Sequence, residues 1–247
     1  MIAIRTQPEL NLIRESGEVL RGCFTALESM LRPGVTTGEL DAAAEEFIRS
    51  HGAVPAFKGY HGYPASVCAS VNEEVVHGIP GARALREGDI VGLDIGVFKY
   101  GYCTDASRTY PIGEVSETAR KLIGITREAL ELAIDRARAG NHLSDISHAV
   151  QSHAESHGFS VVRALVGHGI GRQMHEEPQI PNFGSPGRGP ILAAGMVLAI
   201  EPMLNEGTYE VFTLSDNWTF VTADRKLSAH FEDTVAVTDG APVVMTR

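Results

Sequence analysis

Along the N-terminal stretch, Leu10, Ile13, Leu20, Phe24 and Leu27 recur at the three- to four-residue spacing that stacks side chains on one face of a helix. Thr6-Gln-Pro-Glu9 opens the run as a capping box with proline near the first turn. A second helix is predicted from near Thr37 through Leu40 and Phe47 to Gly52. Further on, Ser116 opens a third through Leu122, Ala129 and Ala133, and Ser144 opens a fourth that ends near Gly158. After each helix pair the period shortens and strands are predicted, first in "GDIVGLDIG" from Gly88 and then in "GMVLAIEPM" from Gly195.

The two stretches match in detail. Gly34 precedes Gly52 by 18 residues and Gly140 precedes Gly158 by the same 18, and both second glycines follow Ser-His. Asp94 and Glu201 each stand six residues after their glycine; Asp105 and Glu232 each stand eight residues before Gly113 and Gly240. The pattern predicts one helix-pair-plus-hairpin unit used twice in a single domain, with halves of about 1–113 and 114–247. Helix runs followed by antiparallel strands, without strict βα alternation, indicate an α+β fold.

Composition narrows the partners. A formal charge of −10 without clustered Lys or Arg argues against nucleic acid. Three cysteines, Cys23, Cys68 and Cys103, form no CxxC and suit a reducing compartment. The first twenty residues carry Arg5, Glu9, Arg14, Glu15 and Glu18 and leave no apolar leader segment, and the run Gly189–Ile200 is too short to span a bilayer. A cytoplasmic protein without membrane binding is expected.

Four acids carry the chemistry. Asp94 lies inside Ile90-Val-Gly-Leu-Asp-Ile-Gly-Val97, a run apolar enough to be buried, where a lone carboxylate would lose several kcal/mol to desolvation or take up a proton. Period two puts Gly92 and Gly96 on its face and Val91, Leu93, Ile95 and Val97 on the other, which leaves room around the carboxylate. Glu201 poses the same problem after Val197-Leu-Ala-Ile200. If the repeats face each other, these two meet Asp105 and Glu232 near the axis. Two divalent cations would balance the four charges, and a neutral imidazole could join without disturbing that balance. Oxygen-rich, nitrogen-poor ligation suits Mn, Fe(II), Co or Zn. The alternative is four acids on solvated strand faces.

"VGHGIGRQMHEEP" spaces His168 and His175 seven positions apart. Gly167, Gly169 and Gly171 each weaken a helix by about 1 kcal/mol, so the stretch is predicted extended, and an odd step would turn the two rings to opposite faces. Spacing alone does not separate two structural histidines from two functional ones. His51 and His157, each before a C-cap glycine, are predicted structural, and His153 is placed on a solvated face.

Asp94 in "GLDIG", Asp105 in "YCTDASRTY", His168 in "GHGIG", Glu201 in "IEP" and Glu232 in "HFEDTVAVT" resemble, in order and context, the type I methionine aminopeptidases, dinuclear hydrolases of the pita-bread fold. The resemblance extends over essentially the whole chain, including "GYHGYPASVCASVNEEVVHGIP" and "HEEPQIPNFG", and is to the short bacterial form. It implies two divalent metal ions, with Asp94 chelating one, Asp105 and Glu232 bridging both, and His168 and Glu201 completing the other. It implies that Glu201 moves the water proton, and that His77 and His175 contact the substrate at the scissile bond. Tyr60, Tyr63, Cys68 and Trp218 match the pocket for the methionine side chain. Phe57 and Met174 depart from the pattern, which has cysteine and phenylalanine there. The implied substrates are N-terminal segments of nascent polypeptides with a small second residue, met by a monomer in transient contact with the ribosome. Proline-directed relatives of the same fold would carry a large N-terminal domain, for which a first helix at residue 7 leaves no room, and a non-catalytic module would lack some of the five ligands.

Overall fold

A computed structural model describes residues 2–247. Its helices α1 (Gln7–Glu28) and α2 (Thr37–Ser50) are followed by α3 (Glu117–Arg136) and α4 (Leu143–Ser156). The starts of the first three follow the caps in the sequence. Glu9 Oε2 accepts the Thr6 amide at 2.9 Å, Glu39 Oε2 accepts the Thr36 amide at 2.7 Å, and Ser116 Oγ accepts the Ala119 amide at 3.1 Å. The fourth helix begins earlier than expected. Asp145 accepts the His142 amide at 2.9 Å, which makes His142 the cap, while Ser144 Oγ is drawn away to the Arg188 amide at 2.7 Å.

The ends of α2 and α4 are built alike. Gly52 and Gly158 turn into the left-handed region at φ of 67° and 84°, and the amides of Ala53 and Phe159 return to Ile48 and Ala154. His51 Nδ1 bonds the Phe47 carbonyl at 2.8 Å and His157 Nδ1 bonds the His153 carbonyl at 2.9 Å, so both histidines finish helices.

Each helix pair covers one antiparallel strand pair. Strand Ile90–Lys99 pairs along its whole length with Tyr102–Pro111, and its Val91, Leu93, Ile95 and Val97 are buried with α1 and α2 side chains such as Leu20, Leu27 and Leu40. Strand Val197–Ile200 lies between Val166–Gly169 and Asp233–Ala236, and Leu198, Ile200 and Val235 pack with Leu122, Leu130 and Ile146 of α3 and α4. Each such buried side chain contributes about 1.5–3 kcal/mol relative to exposure. Among the described residues no helix is long and apolar enough to cross a membrane.

The two strand pairs meet at a narrow seam. Ser107 and Glu232 exchange backbone hydrogen bonds at 3.3 and 2.9 Å. On one side of this pair the Thr234 hydroxyl accepts the Asp105 amide and donates to the Asp105 carbonyl, at 2.9 and 2.8 Å. On the other side the Thr109 hydroxyl does the same for His230, at 3.0 and 2.8 Å. Threonine hydroxyls thus satisfy backbone groups that a regular ladder would pair.

Candidate active site

Strand register assembles the acidic cluster. Asp94 faces Ser107 across the first hairpin, Ser107 faces Glu232 across the seam, and one step beyond the Ile200–Asp233 pair Glu232 comes opposite Glu201. In the neighbouring row Gly96 faces Asp105, and across the second sheet Thr234 faces Ala199, which faces His168. Residues two apart on a strand share a face, so both rows open to the same side. Small residues, Gly96, Ser107 and Ala199, alternate with the charged ones and leave space between carboxylates.

His168 is held by its own hairpin. Gly169 permits the close approach: a Cβ there would lie 2.1 Å from the Glu177 carbonyl oxygen. His168 Nδ1 donates to the Gly169 carbonyl at 2.9 Å, which leaves the Nε2 lone pair free, 3.5 Å from Glu201 Oε1. The expectation that His168 and His175 face apart is wrong. The chain turns between Gly169 and Glu176, and the strand Glu176–Pro181 runs back along Val166–Gly169, so the two ring centroids lie 4.3 Å apart. An odd step turns side chains apart only within one continuous extended segment.

A cavity of about 110 Å³ is lined by Asp94, Asp105, His168, Glu201 and Glu232 together with Phe57, Tyr60, Tyr63, Cys68, His77, Met174, His175 and Trp218. All thirteen residues singled out in the sequence therefore meet in one place. The room beside Asp94 is used differently from the expectation: a Cβ on Gly96 would lie 2.7 Å from the Phe57 ring, so that glycine seats the pocket wall. Tyr63 stands edge-on to Phe57 and Trp218, with centroids at 6.4 and 5.1 Å, and its hydroxyl donates to the Gly78 carbonyl at 2.9 Å. His77 holds a φ of 60°, an unusual value that aims its ring from the end of the strand Glu74–Val76. At the mouth, Tyr60 Oη and His175 Nδ1 are 2.7 Å apart.

The electrostatics are those of an unshared cluster of acids. Burial pushes the Asp94 carboxyl up to about 7. Asp105, Glu201 and Glu232 are driven well above the ordinary carboxyl range, by burial first and by one another's charge second. Burial lowers His168 to about 3 and His77 to about 4, each helped by His175, so both are neutral bases at pH 7. His175 is lowered as well, by partial burial and by His61. Asp94 Oδ1, Asp105 Oδ1 and Glu232 Oε1 are buried without a hydrogen-bond partner, and donor atoms of Asp105, His168 and Glu232 lie within 4.8 Å of one another. Unpartnered buried oxygens facing a free imidazole lone pair fit a divalent cation.

Comparison with known proteins agrees with this chemistry. Residues 11–239 match the model of metallopeptidase family M24. The chain belongs to that family. Over 246 residues it is 54% identical to the methionine aminopeptidase of Clostridium perfringens, covering 100% of this chain and 99% of the relative. It is 50% identical to methionine aminopeptidase 1 of Bacillus subtilis, with both chains covered in full. The crystal structure of methionine aminopeptidase from Thermotoga maritima superposes with a TM-score of 0.99 at 43% identity, again over 100% of each chain. The fold is the α+β pita-bread fold of M24 enzymes, and the family uses divalent metal.

The sequence reasoning missed His230. It lies buried beside the cluster, with Nε2 3.9 Å from Glu201 Oε2 and 4.0 Å from Glu232 Oε2. The signal was available, because His230 and Glu232 are two apart on an extended segment and therefore share a face. Asp233 was missed too: fully buried, it is bound by Arg108, Thr246 and Arg247, which fixes the strand next to Glu232.

Proposed function

We propose that the chain removes N-terminal methionine from peptides and nascent polypeptides with a small second residue, using two divalent cations held by Asp94, Asp105, His168, Glu201 and Glu232. The observation that carries this reading is the single cavity in which those five residues adjoin an aromatic-lined pocket. When bound, divalent cations supply Lewis-acid polarisation of the scissile carbonyl and make water a stronger acid near neutral pH. Cobalt, manganese, iron and zinc all suit an oxygen-rich set with one imidazole.

The chain's own groups do the rest. Phe57, Tyr60, Tyr63, Cys68, Met174 and Trp218 receive the first side chain. A cavity of about 110 Å³ is of a size for a single side chain. The remainder of the peptide leaves through an open groove of about 770 Å³ that shares His168 and His175 with the pocket. Glu201 takes a proton from the attacking water and delivers it to the leaving amine nitrogen. Tyr60 Oη lies 2.7 Å from His175 Nδ1, and on this reading the hydroxyl donates to it, which leaves His175 Nε2–H to face the carbonyl whose charge grows during attack. His77, a neutral base, contacts the substrate at the same bond.

The test is kcat/KM for Met-Ala-Ser, Leu-Ala-Ser, Met-Lys-Ser and Ala-Pro-Ser with manganese or cobalt loaded. Met-Ala-Ser should be best and Leu-Ala-Ser about 10- to 200-fold poorer, the range a hydrophobic pocket achieves between close neighbours. Preference for Ala-Pro-Ser would replace the reading with a proline-directed aminopeptidase. Proteins that emerge from the ribosome are the natural substrates on this reading, and the enzyme works as a monomer in the cytoplasm.

A further inference from the structure

His230 has no task in the proposed reaction. Its side chain is 4% exposed and its Nε2 is without a hydrogen-bond partner among the described residues. The backbone leaves the ring little freedom: Thr109 ties the His230 amide and carbonyl, and the strand pairs His230 with Met203. The seam is locally symmetric about Ser107 and Glu232, with Thr234 bridging the Asp105 backbone as Thr109 bridges that of His230. His230 therefore occupies, on its side of the pair, the place that Asp105 occupies on the other, and both side chains enter the cluster.

Glu201 lies between two imidazoles. Its Oε1 is 3.5 Å from His168 Nε2 and its Oε2 is 3.9 Å from His230 Nε2, while Glu232 Oε2 is 4.0 Å from the same His230 nitrogen. A bare nitrogen lone pair facing two carboxylates would be repelled by both. An N–H there is attracted by both, and the carboxylate field selects that tautomer. At 3.9 and 4.0 Å neither contact is a hydrogen bond, and the inference requires side-chain rotation to bring the groups together, as contacts in active sites tighten when the site is filled.

We infer that His230 is a positioning residue whose Nε2–H is shared between the Oε2 atoms of Glu201 and Glu232, fixing both carboxylates in the acidic cluster. His168 and His230 are thereby opposite in role, one presenting a lone pair and the other a proton. Groups that orient carboxylate ligands in this way alter metal affinity by about 10- to 100-fold. The kinetic part of the inference rests on the aminopeptidase reading; the tautomer and the metal affinity do not.

The first measurement uses wild-type protein, zinc-loaded so that Glu201 and Glu232 are ionised, with ¹⁵N-labelled histidine, and reads which ring nitrogen of His230 bears hydrogen, the signal being assigned by its loss in His230→Gln. A hydrogen on Nε2 is expected, and a bare Nε2 overturns the inference. The second compares His230→Gln, whose amide can donate, with His230→Leu, which cannot. His230→Leu should bind Co²⁺ about 10- to 100-fold more weakly by calorimetry and lose kcat on Met-Ala-Ser with KM nearly unchanged, while His230→Gln recovers most of both. Equal impairment in the two variants would show a packing role, and wild-type affinity in His230→Leu would show none; either result overturns the inference. Should His230→Leu fail to fold, the tautomer and His230→Gln decide the matter. If wild-type enzyme fails to cleave Met-Ala-Ser, the aminopeptidase reading falls while the first measurement still stands.

Discussion

Asp105 and Glu232 are buried, each with an unpartnered oxygen, and on the proposed reading a cation would offset what each loses in desolvation. Asp105→Asn or Glu232→Gln removes one charge from the set and should release metal on dialysis, read as ions per chain by elemental analysis. Wild-type content at unchanged affinity would remove that residue from the ligand set. The mouth behaves differently. His175→Ala should lower kcat by about 10²-fold with metal content intact, as loss of a donor to a developing oxyanion does. Tyr60→Phe, which only frees the tautomer, should cost about 1 kcal/mol, a five- to tenfold effect in the same assay. A metal loss in either variant would place His175 among the ligands. Asp94 and Glu201 were legible because acids in apolar strands stand out, and Asp105 and Glu232 because they recur at matched places in the two repeats, whereas the three histidines and the pocket side chains were placed only by the family resemblance. The facing of His168 and His175 was not, because a tight reversal between Gly169 and Glu176 leaves no periodic trace. His230 escaped because a lone histidine in an apolar-flanked segment carries no spacing that marks it as part of a site.

Helices announced themselves by capping chemistry, and only at α4 did the cap move, where Asp145 served His142 and Ser144 found a tertiary partner. Strands were harder to bound, since Asp233–Ala236 and Val197–Ile200 are short and their partners lie far along the chain. We read the matched ends of α2 and α4 as the mark of duplication, with halves of about 1–113 and 114–247 in one domain. At this scale the His168 hairpin is the sensitive element. Gly169→Ala would push a methyl to within 2.1 Å of the Glu177 carbonyl oxygen, which is backbone and cannot swing aside. The strands must part, at about 1–3 kcal/mol of stability for an overpacked site, read as a fall in the urea midpoint at constant slope. Because His168 rides on that strand, metal affinity should fall with it. An unchanged midpoint together with unchanged affinity would mean that the hairpin does not hold His168 in place.

The whole molecule is built to bring like charges together, and its stability must therefore depend on pH and metal jointly. Asp94 is raised from near 4 in the unfolded chain to about 7 in the fold. Below about pH 4 both states hold the proton; between about 4 and 7 the unfolded chain releases it while the folded chain keeps it. The stabilisation is thus complete below the unfolded value and is lost as pH rises towards 7. Asp105, Glu201 and Glu232 are raised further and extend the loss upward in pH. Cations bound by these acids, as proposed, would replace those protons, so loading should release protons and grow stronger with pH. His77 at about 4, and His168 and His230 at about 3, stay neutral in the fold above about pH 5 with or without metal, and their contribution cancels between the two forms. The expected result is a gap in Tm between manganese-loaded and metal-free protein that widens from about pH 5 to about pH 8, with proton release on loading seen as a buffer-dependent calorimetric heat. A gap that stays level or narrows over that range would mean that the acids are already ionised without metal, and that the cluster is not the charge-balanced site its burial implies.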